Sequence, residues 1–169
     1  MTAELLEKLD FTKPEEPEPG SDMRKLLIDW LGYQRTEFRR KLRDLTPEGA
    51  VEWSIPPVEL SVLGLVRHMA QMEHVYLVWG LGGGERIDLY GVDDFAGGSV
   101  DTIDSDLETY FEQVEWADRA IVALPSLDSK GLGHGRPLSA TLVKMIDEYA
   151  LHAGQAHMLR FAALGEIIR

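Results

Sequence analysis

Four stretches of this chain repeat apolar residues at intervals of three and four, and no stretch of comparable length alternates apolar with polar residues. The first runs from Met23 to about Asp44, with Leu26, Leu27, Trp30, Leu31, Gln34, Phe38 and Leu42 on one side and Ser21 or Asp22 placed to cap it. The second runs from about Val58 or Leu60 to Trp79. On a wheel of about 100° per residue, Arg67, Gln71 and His74 share a narrow solvent arc there, while Leu65, Met69, Met72, Tyr76 and Trp79 face the other way, together with His68. The third, from about Thr102 to Leu124, carries Leu107, Tyr110, Phe111, Val114, Ala117, Ile121 and Leu124 at helical spacing. The fourth runs from about Ser139 to Leu164 and is closed by Gly165. An amphipathic helix must bury its apolar stripe against another element, so four such helices predict an all-α four-helix bundle.

The segments between them read as breaks. "TPEGAVEWSIPP" has adjacent prolines and a glycine, and "GLGGGERIDLYGVDDFAGGSVDTID" is glycine-rich and irregular. Gly82 to Gly84 and Gly97 to Gly98 lack the preceding strand and following helix of a phosphate loop. At the start, "TKPEEPEPGSD" favours an extended, solvated chain, so residues 1–22 are expected to form an acidic N-terminal arm and residues 23–169 a single bundle domain. A length of 169 residues buries one ordinary core.

Charge and composition narrow the partners. The net charge of −12 repels phosphate backbones and anionic lipid, which argues against nucleic acid as a partner. With no cysteine, the chain has no disulfide, no zinc-thiolate cluster and no thiol nucleophile of its own. Any metal must sit on nitrogen and oxygen. No run reaches the roughly 18 uncharged residues of a membrane span, and the N-terminus lacks a basic start followed by an apolar run. A cytoplasmic protein is expected.

The stretch "DEYALHAGQAHMLR" places Glu148 and His152 four residues apart in the last helix, where side chains project from the same face. They lie along the border of an apolar face made by Leu142, Met145, Ile146, Tyr149, Ala153, Ala156 and Leu159. His157 stands about 140° round from His152 and cannot join them. A carboxylate at such a border must be paired, protonated or coordinated, because an unpaired buried charge costs several kcal/mol. His68, on the apolar side of the second helix, needs a partner for the same reason. Two nitrogens and a carboxylate oxygen suit catalytic zinc, and nickel or iron as well. The alternative is a hydrogen bond between Glu148 and His152, with His68 satisfied by a backbone carbonyl.

The stretches "SVLGLVRHMAQMEHVYL" and "ATLVKMIDEYALHAGQAHMLRFA" resemble the two most characteristic segments of the DinB-like (DinB/YfiT) superfamily, in particular its actinobacterial branch. That superfamily includes mycothiol-dependent maleylpyruvate isomerase and bacillithiol transferases. The resemblance, over about Met23 to Arg169, implies a bundle of up-down-down-up connectivity and a divalent metal held by His68, Glu148 and His152. Many members have histidine where this chain has Glu148, whereas the mycothiol-dependent isomerase is similar to it in using glutamate. Close relatives often have histidine at the position of Gln155, and "HAGQ" looks like the "HxGQ" of other members.

The resemblance further implies a small thiol cosubstrate, mycothiol or bacillithiol, in a thiol transfer to a small electrophile or a thiol-assisted isomerisation. Trp53, Tyr76, Trp79, Tyr149 and Gln155 are the candidates to line the pocket, although an aromatic at helical spacing is more often core. Arg67, Asp104 and Asp147 read as solvated, as do His74 and His134, the last in a glycine-flanked loop without an evident partner. Two other readings stand beside the enzyme. One is a non-catalytic bundle that binds metal or a small ligand. The other is a structural homodimer, since the second helix is apolar round most of its circumference.

Overall fold

The computed structural model describes residues 3–91 and 93–165. Residues 1–2 of the expected arm, Val92 in the glycine-rich connection, and residues 166–169 at the end of the expected bundle domain lie outside the described residues. Helices α1 (Ala3–Leu9), α2 (Met23–Arg39), α3 (Pro47–Val51), α4 (Val62–Met72), α5 (Trp79–Gly82), α6 (Ile103–Ala123) and α7 (Leu138–Leu164) follow in order. A π-helical stretch, Glu73–Val78, joins α4 to α5 without a break. Among the described residues there is no strand beyond one isolated bridge between Lys130 and Pro137.

The caps are those that local chemistry dictates. Asp22 accepts the amides of Arg24 and Lys25 at the start of α2. Ser61 Oγ accepts the Gly64 amide at 2.9 Å, which opens α4. Gly165 ends α7 with φ of 63°, a left-handed conformation that a glycine adopts without a Cβ clash.

Cross-helix contacts give the connectivity. Arg67 meets Asp106 and His74 meets Gln113, both pairs 39 residues apart, so α4 and α6 run parallel. His68 meets His152 and Glu73 meets Tyr149, so α4 and its π extension run antiparallel to α7. Arg24 reaches the Ile121 carbonyl and Arg35 reaches Asp118, so α2 opposes α6. These directions make an up-down-down-up bundle, as the resemblance implies. The long connection between α5 and α6 follows from it, because a parallel pair needs a chain that returns the full length of a helix. Leu31, Phe38, Leu65, Met69, Leu107, Tyr110, Leu142, Met145 and Ala156 fill the centre.

Three expectations change. The N-terminal segment is not solvated throughout: Leu5 and Leu9, one turn apart on α1, are buried in the core, and α1 packs on α6. Two apolar side chains on one face of a short helix gain more from burial than from water. The segment after α2 contains α3, capped by Thr46 through the Gly49 amide, where only a break was expected. Finally, Arg67, Gln71 and His74 do not face solvent. All three are buried, because the α5–α6 connection lies across them and supplies polar partners. Helical periodicity reports which face is polar, not what covers it.

Candidate metal centre

His68 projects from the middle of α4, and Glu148 and His152 from one face of α7. One donor atom from each lies within 4.8 Å of the other two. His152 Nε2 stands 3.3 Å from Glu148 Oε2, and His68 Nε2 stands 3.8 Å from the same oxygen. The two imidazoles meet edge to face, with ring centroids 4.6 Å apart. Ligand atoms held about 2.05 Å from a tetrahedral cation are about 3.4 Å apart, close to the two separations at Glu148 Oε2.

The outer atoms of each residue are held in turn. His68 Nδ1 lies 3.0 Å from Asp94 Oδ2, and the Phe95 ring stacks on the imidazole at 4.2 Å. Since a carboxylate only accepts, His68 carries its proton on Nδ1. His152 Nδ1 lies 2.7 Å from Gln155 Oε1. Glu148 Oε1 accepts from Lys144, one turn earlier on α7. With His68 in that tautomer and His152 Nδ1 donating to Gln155, the two Nε2 lone pairs and the remaining carboxylate oxygen face one another. In the alternative of an internal hydrogen bond, a backbone carbonyl would hold His68; the partner is the Asp94 side chain instead.

Electrostatics favour the neutral form of His68 and the ionised form of Glu148. Burial pushes the His68 pKa below its ordinary value, outweighing the nearby Asp94 carboxylate that would raise it. Burial alone would raise Glu148, but the Lys144 hydrogen bond and charge hold it below the usual carboxylate range. A neutral imidazole and an ionised carboxylate are the forms a cation needs.

The pocket candidates are scattered. Gln155 is the partner of His152 just described. Tyr76 is partly buried in the π stretch, with Arg136 5.8 Å over its ring. Trp79 packs instead against His134, with ring centroids 6.3 Å apart. Trp53 is half exposed in the segment after α3. Tyr149 is a correction: next to Glu148 in sequence but about 100° round the helix, it is fully buried and donates to Glu73 Oε1 at 2.6 Å. His134 also has a partner, the Tyr76 carbonyl at 3.1 Å.

Asp94, Phe95 and Lys144 were missed. Lys144 precedes Glu148 by four residues, a spacing from which an ion pair is readable. Asp94 and Phe95 sit in an aperiodic connection whose path no local signal gives.

A family model described as mycothiol-S-transferase matches residues 26–165, from α2 to the end of α7. The chain belongs to the mycothiol-S-transferase family, within the DinB-like superfamily. No curated protein and no solved structure matches it. The match covers every element that carries the candidate centre and leaves out α1 and the acidic segment after it. Membership supports a thiol-dependent, transferase-like function. Membership also suggests a thiol cosubstrate, and the chain has no cysteine of its own. No helix among the described residues is long and apolar enough to cross a membrane.

Proposed function

We propose that this chain is a divalent-metal-dependent S-transferase that joins the thiol of mycothiol to a small electrophile, with zinc held by His68, Glu148 and His152. The observation that carries this reading is the convergence of three unprotonated donors, each with its outer atom fixed by a separate residue. Zinc in such a site supplies a Lewis acid that brings a thiol to its nucleophilic form at neutral pH. Nickel or iron would suit the same donors.

The chain's own residues orient and shield. Asp94 and Gln155 keep both Nδ1 protons turned away from the centre. Lys144 holds one oxygen of Glu148 and leaves the other facing the histidines. Phe95 covers one face of His68 and excludes water there. The sulfur of the cosubstrate forms a bond to an electrophilic carbon, the leaving group takes the bonding pair, and the thiol proton passes to solvent or buffer. A cytoplasmic setting, where such thiols stay reduced, belongs to the same reading, and bacillithiol is the thiol to compare with mycothiol.

Homodimerisation is proposed on the outward side of α7, where Val143, Leu151 and Met158 are about half exposed on one face. Sedimentation equilibrium of the wild type and of Leu151→Glu tests it.

The functional test is conjugate formation by purified, zinc-loaded protein with mycothiol and a halogenated or epoxide electrophile. Conjugation is expected to depend on both the thiol and His152, and to fail in His152→Ala. Zinc bound at one per chain with no conjugation to any thiol would mark a binding module instead.

A further inference from the structure

The centre involves a third element besides α4 and α7. Asp94 and Phe95 lie on the connection between α5 and α6, and both touch His68, one by hydrogen bond and one by ring stacking. Among its described residues this connection has no regular structure until Val100, yet its course over α4 is fixed at several points. Gln71 spans two of its backbone groups, donating to the Ile87 carbonyl at 3.1 Å and accepting from the Leu89 amide at 2.7 Å. His74 Nε2 accepts the Ile87 amide at 3.0 Å, while its Nδ1 faces Gln113. Arg67 pairs with Asp106 at 3.1 Å and donates to the Asp94 carbonyl. Asp93 Oδ1 takes the amides of Phe95 and Ala96, turning the chain just where it meets His68.

The close approach itself depends on one residue of α4. A Cβ on Gly64 would stand 2.4 Å from the Phe95 carbonyl oxygen, well inside contact distance. Gly64 lies one turn before His68 on the same face of α4. One position lets the backbone in, and the next receives the side chain.

We propose that Asp94 is a positioning residue for the metal centre. It fixes the proton of His68 on Nδ1, so that Nε2 meets Glu148 and His152, and Gly64 is the gap in α4 that lets it do so. The inference rests on the metal reading above but makes a claim about the apo protein as well. A neutral imidazole with its proton on Nε2 has no lone pair for a cation at that atom. The carboxylate therefore does for His68 what Gln155 does for His152, from a connection rather than from the same helix. Loss of such outer partners typically weakens metal binding by about 10–100-fold.

The test uses the full chain, labelled with 15N-histidine and stripped of metal, at about pH 8, where an imidazole of ordinary pKa is neutral. The His68 ring nitrogens of the wild type are expected to show the Nδ1–H tautomer. Asp94→Ala should shift His68 to the Nε2–H form and weaken zinc affinity by about 10–100-fold. Asp94→Asn, which keeps an acceptor, should retain most of both. Gly64→Ala, which removes no polar group, should reproduce the tautomer shift by displacing the connection. The proposal is overturned if Asp94→Ala keeps the wild-type tautomer, whether zinc affinity holds or falls, since Asp94 would then act by charge or not at all. A wild type that takes up no zinc would defeat the metal reading alone, and the tautomer comparison would still decide the role of Asp94.

Discussion

Two of the polar clusters inside this bundle stand a few residues apart on α7 and on α4 with its π extension, and the first reaches α2 and α6 as well. In the first, Glu73, five residues after His68, receives a two-pronged pair from Arg35 at 2.8 and 2.7 Å and the Tyr149 hydroxyl at 2.6 Å. Tyr149 also lies 3.2 Å from the Tyr110 hydroxyl, and Arg35 continues to Asp118 at 2.6 Å. Each charge there has an opposite charge, and each phenol a partner. Burial, followed by the neighbouring Glu73 carboxylate, pushes the Tyr149 hydroxyl far above its ordinary pKa, so it stays a donor. In the second cluster the outer atoms are equally well partnered, but three inner lone pairs face one another. The closed cluster satisfies itself, whereas the open one leaves its inner donors facing one another, the arrangement for which a cation is proposed above.

The largest effect should come from opening the closed cluster. Glu73→Leu leaves the buried Arg35 guanidinium with only the exposed Asp118, and should lower stability by about 3–5 kcal/mol in urea unfolding. Zinc bound per folded molecule should not change. Close behind comes filling the open cluster: zinc at about a thousand times its Kd should add about 4 kcal/mol. For a chain of this size that raises Tm by about 8–16 °C. His152→Ala should show no such rise, and a rise of equal size in that variant would erase the distinction between the two clusters.

A finer cut is Tyr149→Phe, which removes one hydrogen bond to a buried carboxylate. It should cost about 1.5–3 kcal/mol while zinc affinity holds, even though residue 149 adjoins a ligand. The smallest effect concerns His134, outside both clusters. Burial lowers its pKa below the ordinary 6.5, against the Tyr76 carbonyl that would raise it. The folded state thus takes up the proton less readily than the unfolded one. The contribution is present above about pH 6.5 and lost as pH falls through the folded pKa. His134→Asn should flatten that acid-side slope in stability-against-pH curves.

The bundle was legible in sequence because its period and its caps are local. Leu31, Phe38, Leu107 and Leu142 recur at the spacing their burial demands, and Asp22 and Gly165 end helices by chemistry confined to a few residues. The approach of Glu148 and His152 was legible for the same reason, the two being one turn apart. What escaped was everything set by a return path. Arg67, Gln71 and His74 look like a solvent stripe until the α5–α6 connection lies on them, and Asp94 has no partner until that connection reaches His68. Tyr149 lies on the apolar face that its spacing gives it and not in a pocket beside Glu148, because a helix turns such neighbours to different sides.

The most direct measurement is the metal content of the protein purified without a polyhistidine tag, before and after exposure to zinc. One zinc per chain, lost in His68→Ala, Glu148→Ala and His152→Ala but retained in Tyr149→Phe, is the predicted result. A protein that stays metal-free when zinc is supplied, or one whose zinc survives all three ligand substitutions, would contradict it.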